Sequence, residues 1–399
     1  MRDHRTAIEA FGRAIALRPE HALAWLGLGH AHWRSGEVAQ AGEAYREVVR
    51  REPGWADAHF NLGLVHRRQG RPVEAARSLH EAWWRDPTLF DAARHCVATI
   101  AECIGDADAA VEPLNAYENG QAPHMGEDSE AQRVGEDGET SFTVVVCSID
   151  EDRCRRAAAL YERLFARVPH EVVTIWNPPS LAAAYNAAVA RSRADVVVLS
   201  HDDVDVLAED FAGRLCALMR VFDAVGVAGS TVMHGPAIGW SGHPHLRGWI
   251  VHRVAGEAGY RVDVLHPAPL AGNIVLLDGV LIAARRGALA GVPFDAMTFD
   301  GFHLYDLDWS LRASQAGHRL AVAGELLLVH SSRGAYDAPW RRYAERFCVK
   351  HRGGDMPPAE SSFFGATLET PAQVRRFFAM LASLGRRFAA RAEASGERR

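Results

Sequence analysis

Small and apolar residues in the first hundred positions recur in blocks: Pro19, Pro53 and Pro87 are 34 residues apart, and the same step carries Ala7 to Ala41 to Ala75, Gly29 to Gly63, Gly36 to Gly70 and Phe11 to Tyr45. That period predicts stacked helix pairs, with Ala and Gly where helices cross and each proline closing a second helix. From Gly105 the periodicity fades. Beyond it the apolar runs shorten to strand length, at Phe142–Cys147, Val172–Trp176 and Val196–Leu199, with helices predicted from about Asp152 to Val168 and around Tyr185 and Asn186. Alternating strand and helix predicts a parallel sheet. The unbroken run Val196–Leu199 reads as a strand buried on both faces. A tail from Thr370 carries Val374, Phe377, Phe378, Leu381, Leu384 and Phe388 at helical spacing among arginines, a basic amphipathic helix.

Two acidic clusters lie on this frame. His201-Asp202-Asp203-Val204-Asp205 follows the Val196–Leu199 strand, and Tyr305-Asp306-Leu307-Asp308 opens a helix, with His330 downstream of a second apolar run. Ligands of open α/β sheets bind at the C-terminal strand edge. Crowded carboxylates there repel one another, and a hard cation such as Mg²⁺ or Mn²⁺ relieves that repulsion. Acids at a helix start can also simply favour the helix dipole, and a histidine after an apolar strand can be a hydrogen-bonded core residue.

Composition narrows the setting. At 399 residues and 48% hydrophobic content the chain can bury two cores. A formal net charge of -6 argues against a nucleic-acid partner. Lys350 is the single lysine among 44 basic residues, a bias that reads as a GC-rich bacterial genome. The six cysteines include no C-x-x-C pair and suit free thiols in a reducing compartment. No run reaches the length of a membrane helix, and Met1-Arg2-Asp3-His4-Arg5 leads into no signal-peptide core, so a cytoplasmic protein is expected.

Ala-Trp-Leu-Gly-Leu-Gly at 24–29, matched by Ala-His-Phe-Asn-Leu-Gly at 58–63, resembles the tetratricopeptide repeat over residues 1–104. The resemblance implies a concave surface for a protein partner, with Asn61, Arg67 and Arg68 facing it; a purely scaffolding role is the other reading. Residues 105–140, acidic and glycine-bearing, read as a flexible linker.

The ordered motifs Val-Val-Val-Cys-Ser, Ala-Tyr-Asn (184–186), His-Asp-Asp-Val (201–204), Leu-Asp-Gly-Val-Leu (277–281), Phe-His-Leu-Tyr-Asp-Leu-Asp (302–308) and Val-His-Ser-Ser (329–332) resemble an inverting, family-2-type glycosyltransferase of the GT-A fold. The resemblance covers residues 141–352. It implies a Rossmann-like α/β domain with a mixed, mostly parallel sheet, a nucleotide-sugar donor (a UDP-sugar) and a Mn²⁺ or Mg²⁺ ion. Asp203 is the implied principal metal ligand, with Asp205 and His330 beside it. Asp202, Ser148, Asn177, Tyr185 and Asn186 are implied to line the donor pocket. Asp306, at the second acid of the family's Glu-Asp motif, is the implied catalytic base; Asp308 is expected to orient Arg312. His201 and Tyr305 stand where many relatives carry Asp and Glu.

Asp278 can hold a turn or touch the acceptor. The stretch 231–269, rich in Gly, His, Pro and Trp, suggests a loop over the acceptor side, and Trp340 and Arg341 a lid. The tail, residues 353–399, can lie weakly on an anionic membrane surface or dock on protein. The expected function is transfer of a sugar to a hydroxyl of a glycan or protein acceptor, with the repeats recruiting acceptor or partner. The alternative is a repeat-driven interaction module carrying a catalytically silent GT-A-like domain.

Overall fold

The computed structural model describes residues 2–105, 140–253, 259–332, 336–354, 356–357 and 364–395, the side chains of 2, 3, 105 and 386–395 excepted. The expected acidic linker therefore lies outside the described residues. The chain separates into two units, Met1–Gly120 with Phe364–Ala366 and Arg376–Arg399, and Gln121–Phe363 with Thr367–Arg375.

The first unit contains the helical repeat: α1 (Arg2–Leu17), α2 (Ala22–Arg34), α3 (Val38–Arg51), α4 (Ala56–Arg68), α5 (Pro72–Arg85) and α6 (Phe90–Gly105). Pro19, Pro53 and Pro87 each follow the end of a helix, as the period predicts. The invariant spacing of glycine has a steric cause. A Cβ on Gly29 would lie 2.5 Å from the Tyr45 ring, and one on Gly63 would lie 2.6 Å from Leu79, so these helices can approach only where a side chain is missing. Polar contacts repeat at the same step: Trp25 Nε1 donates to the Pro19 carbonyl at 2.8 Å, and His59 Nε2 bonds the Pro53 carbonyl at 2.8 Å. Asn61 Nδ2 donates to the Asp57 carbonyl, Arg67 pairs with Glu102 at 2.7 Å, and Arg68 lies over the Trp33 ring at 5.3 Å. All three expected groove residues thus have partners within the repeat.

The second unit is an α/β domain. Its strands are β1 (Phe142–Ser148), β2 (His170–Trp176), β3 (Val196–Ser200), β4 (Val204–Val206), β5 (Ala224–Gly226), β6 (Ala228–Ser230), β7 (Leu246–Arg253), β8 (Tyr260–Val264), β9 (Leu270–Ala271), β10 (Leu276–Leu277), β11 (Leu281–Arg285), β12 (Leu320–Ala323) and β13 (Leu328–His330). Among the described residues the main sheet runs β2-β1-β3-β11-β5-β12-β9, parallel at β2-β1-β3 and β5-β12 and antiparallel elsewhere. Val145, Cys147, Val197 and Leu199 point into one apolar cluster, while Val144, Val146, Val196 and Val198 point into another. Both sheet faces are buried, which explains the unbroken apolar runs.

Helices cover both faces. α7 (Glu151–Leu164) and α9 (Phe211–Val221) add Tyr161, Phe211 and Leu215 to the second cluster. On the first cluster, α8 (Leu181–Arg191), α11 (Tyr305–Gln315) and α12 (Ala338–Arg352) place Tyr185, Trp309 and Phe347; α10 (Arg286–Gly291) adds Leu289. Asp150, Ser180, Asp210 and Asp337 cap helices by accepting backbone N–H groups. The second sheet runs β10-β6-β7-β13-β4, with β8 beside β7.

Two of the expected loop segments take regular structure. Within 231–269, β7 and β8 pair antiparallel, and Trp249 is buried with Nε1 donating to the His266 carbonyl at 2.8 Å, as a packed excursion would be. Trp340 and Arg341 lie in the first turn of α12. The tail forms α13 (Pro371–Ser395), and its Val374, Phe377, Phe378, Leu381 and Leu384 are all buried. That burial suits the protein-docked alternative for this part of the tail. No helix among the described residues is long and apolar enough to cross a membrane.

Candidate active site

Register brings the candidate residues together. Ser148 pairs with Trp176, and Val146 with Ser200, so three parallel strands end along one edge, where a sheet of this kind binds ligands. Beyond β3 the chain turns through Asp202 and Asp203 and returns as β4 beside β13. Ser148 Oγ lies 2.5 Å from Asp202 Oδ2, and the Asn177 N–H donates to the Ser148 carbonyl at 2.8 Å. Asn177 is exposed with φ 43°, while Trp176 beside it is 57% exposed.

One residue further round the turn, the side chains gather about His330. His330 Nε2 lies 3.2 Å from Asp203 Oδ1, 3.3 Å from His201 Nδ1 and 3.1 Å from Ser332 Oγ. A ring nitrogen offers one donor or one acceptor, so it cannot satisfy three neighbours at once. One nitrogen or oxygen from each of His201, Asp203 and His330 lies within 4.8 Å of the others. Burial, then the charge of His330, keeps the His201 imidazole below its ordinary pKa. Burial alone would raise Asp203, but hydrogen bonds from His330 and Ser332 and the charge of His330 hold it well below the usual carboxylate range. A neutral imidazole and an ionised carboxylate are the forms that ligate a cation, and the donor set fits a divalent ion.

Asp205 does not join them. β4 pairs with β13 so that Val204 faces His330 and Asp205 faces Val329. Side chains alternate along a strand, so Asp205 and His330 leave opposite faces. Asp205 instead lies 3.5 Å from the Arg253 guanidinium and accepts from the Val206 N–H at 2.9 Å. His201, two residues before Asp203, takes the third place. Its departure from the family pattern was the available signal.

The Leu277-Asp278-Gly279-Val280 turn joins this group to Asp306. The His201 N–H donates to the Val280 carbonyl at 3.1 Å, and the Gly279 N–H donates to Asp306 Oδ2 at 2.7 Å. Asp278 Oδ1 accepts from the Val280 N–H at 3.1 Å, so Asp278 does hold the turn. It also acts on its neighbour. Burial first, and the Asp278 charge second, push the Asp306 carboxyl up to about 7. Asp308 is fully buried and bonded to Arg312 at 2.8 Å, Lys350 at 2.6 Å and His351 at 2.8 Å. It orients Arg312, as expected, and ties α11 to α12.

Two of the expected donor-pocket residues lie behind the edge. Tyr185 is 1% exposed, its ring 5.6 Å from that of Tyr305. Asn186 donates to the Phe294 carbonyl at 2.8 Å and accepts from the Phe294 N–H at 2.9 Å. With both ends of its amide engaged, Asn186 fixes the loop before α11 rather than facing a ligand.

Residues 1–54 and 28–86 match the tetratricopeptide repeat, and residues 143–351 match a glycosyltransferase-like family. No curated protein matches the chain. Among solved structures, a crystal structure of MamA shares 23% identity at a TM-score of 0.24, over 25% of this chain and 58% of that one. MamA 41-end from Desulfovibrio magneticus RS-1 shares 22% identity at a TM-score of 0.25, over 29% of this chain and 64% of that one. The family match spans just over half of the sequence and contains the β1–β3 edge, the turn at Gly279 and both acidic clusters: the chain belongs to the glycosyltransferase-like family, preceded by tetratricopeptide repeats.

Proposed function

We propose that the α/β domain transfers a sugar from a nucleotide-sugar donor, a UDP-sugar, to an acceptor hydroxyl with inversion at the anomeric carbon. The observation that carries this reading is the Gly279 turn, which holds a carboxylate of raised pKa beside the His201, Asp203 and His330 group. These three residues would hold the divalent ion, and two imidazoles favour Mn²⁺ over Mg²⁺. When bound, such an ion neutralises the leaving diphosphate as a Lewis acid. Ser148, Asn177 and Asp202, along the strand edge, line the donor nucleotide.

Asp306 is the base. A carboxylate with pKa near 7 accepts a proton at neutral pH while still ionised in a large fraction of molecules. As the acceptor oxygen forms its bond to the anomeric carbon, its proton passes to Asp306, and the bond from that carbon to the diphosphate oxygen breaks. One displacement with one base inverts the centre. The Gly279 N–H fixes Asp306 Oδ2 and so holds the base in place.

The repeat domain recruits the acceptor or a partner protein, consistent with what such repeats do. A cytoplasmic setting suits the buried thiols of Cys96, Cys147 and Cys348. Calorimetric titration of UDP-sugars and GDP-sugars with and without Mn²⁺, on wild type and Asp203→Ala, tests the reading. Metal-dependent binding that the variant loses supports it. A folded wild type that binds no donor contradicts it.

A further inference from the structure

The segment that delivers the base contains neither helix nor strand. Residues 292–304 run from the end of α10 to the start of α11, and the last of them, Leu304, is held at φ 64°, a left-handed conformation that a leucine keeps only under external restraint. Tyr305 and Asp306 follow directly. α12 supplies the restraint from one face: Tyr343, Arg346 and Lys350 are spaced three and then four residues apart, so their side chains leave the helix on the same side. Tyr343 and Arg346 donate to Asp300 Oδ1 at 3.0 and 2.7 Å, and Arg346 also donates to the Thr298 carbonyl at 2.8 Å.

Lys350 closes the row. Its ammonium donates to Asp295 Oδ2 at 2.7 Å and to Asp308 Oδ1 at 2.6 Å, and it lies over the Phe299 ring at 5.4 Å. Asp295 stands near the start of the segment and Asp308 in the first turn of α11. Asp295 Oδ1 is committed to the Met297 and Thr298 N–H groups at 3.1 and 3.0 Å, so Oδ2 is the oxygen left to reach α12. Asp308 Oδ2 is taken by Arg312. Burial alone would raise both carboxyls, but hydrogen bonds from Lys350 at Asp295, and from His351 and Lys350 at Asp308, hold them below the usual carboxylate range. A compact ammonium with three N–H donors serves two carboxylates from one nitrogen, which a planar guanidinium does not, and this residue is the single lysine among 44 basic residues.

We propose that Lys350 is a positioning residue for the base: by joining Asp295 to Asp308 it fixes the 295–308 segment on α12, and so sets where the Asp306 carboxyl meets an acceptor hydroxyl. Asp306 lies in the same first turn of α11 as Asp308 and is bonded to the Gly279 N–H, so a shift of that turn passes directly to the base. A small displacement of a reacting group is enough to slow the chemical step strongly. The residues proposed to hold the ion and the donor, His201, Asp203 and His330 and the β1–β3 edge, take no part in the bonds of Lys350. The inference rests on the transferase reading of the same site.

The test uses the full chain as wild type, Asp295→Asn and Lys350→Met. Asp295→Asn keeps the Oδ1 acceptor of its turn and presents an amide to the ammonium, so the bridge breaks while Asp308 stays paired. UDP release from UDP-glucose, UDP-galactose and UDP-N-acetylglucosamine is followed with Mn²⁺, water serving as the acceptor, and donor affinity is measured by calorimetry. Because the chain has one lysine, protein labelled with ¹⁵N-lysine gives a single side-chain ammonium signal. The positioning role requires kcat at least about tenfold lower in each folded variant, donor affinity within about twofold of wild type, and an ammonium signal that moves in Asp295→Asn. Should Lys350→Met not fold, Asp295→Asn alone decides. Wild-type kcat in Asp295→Asn, an unmoved signal, or kcat and donor affinity falling together overturns the role. A folded wild type that releases no UDP removes the transferase reading and this role with it.

Discussion

The Gly279 N–H donates to Asp306 Oδ2 at 2.7 Å, and no other residue type fits at position 279: a Cβ there would lie 2.7 Å from that carboxylate oxygen and 2.8 Å from the Tyr305 hydroxyl. Gly279→Ala must therefore move the base. Displacements of this size at a reacting group are expected to lower kcat about 10- to 100-fold, with Mn²⁺ affinity kept. Steady-state kinetics beside a metal titration checks both halves.

Asp306 sets the expected pH dependence. With its carboxyl at about 7, kcat/KM should rise through a single limb near that pH, and Asp306→Asn should abolish the limb and lower kcat by about 10²- to 10⁴-fold. Stability moves the other way. A carboxyl raised above its unfolded value stabilises the fold fully below the unfolded pKa, and that contribution is lost as pH rises through 7. Asp306→Asn should thus gain stability relative to wild type between pH 4 and pH 8, by at most about 4 kcal/mol. Urea unfolding at the two pH values measures it.

Asn186 separates a structural from a binding role. Its amide spans the backbone of Phe294 with bonds of 2.8 and 2.9 Å. Asn186→Ala leaves both backbone groups without that partner and should cost about 2 kcal/mol in thermal or urea unfolding, with donor affinity per folded molecule unchanged. Lost donor affinity at unchanged stability would return Asn186 to the pocket.

Much of this was legible in the sequence because it rests on local period. The 34-residue step of Pro19, Pro53 and Pro87 and the all-apolar Val196–Leu199 strand predict their elements without knowledge of tertiary partners. Asp203 and His330 do lie 3.2 Å apart, as the ordered motifs imply. Asp205 lies apart from Asp203 and His330 for a non-local reason: the register of β4 on β13 decides which face each side chain leaves, and no property of the HDDVD segment encodes that register. Tyr185 and Asn186 are likewise placed by non-local packing. Their motif lies on a helix whose buried face meets Phe294, 108 residues away from Asn186.

The most direct test of the account is Mn²⁺ binding followed by electron paramagnetic resonance on wild type, His201→Ala, Asp203→Asn, His330→Ala and Asp205→Asn. The geometry predicts one site whose affinity falls at least about tenfold in each of the first three variants and stays at the wild-type value in Asp205→Asn. Affinity that depends on Asp205 and ignores His201, or no Mn²⁺ site in the folded wild type, would contradict it.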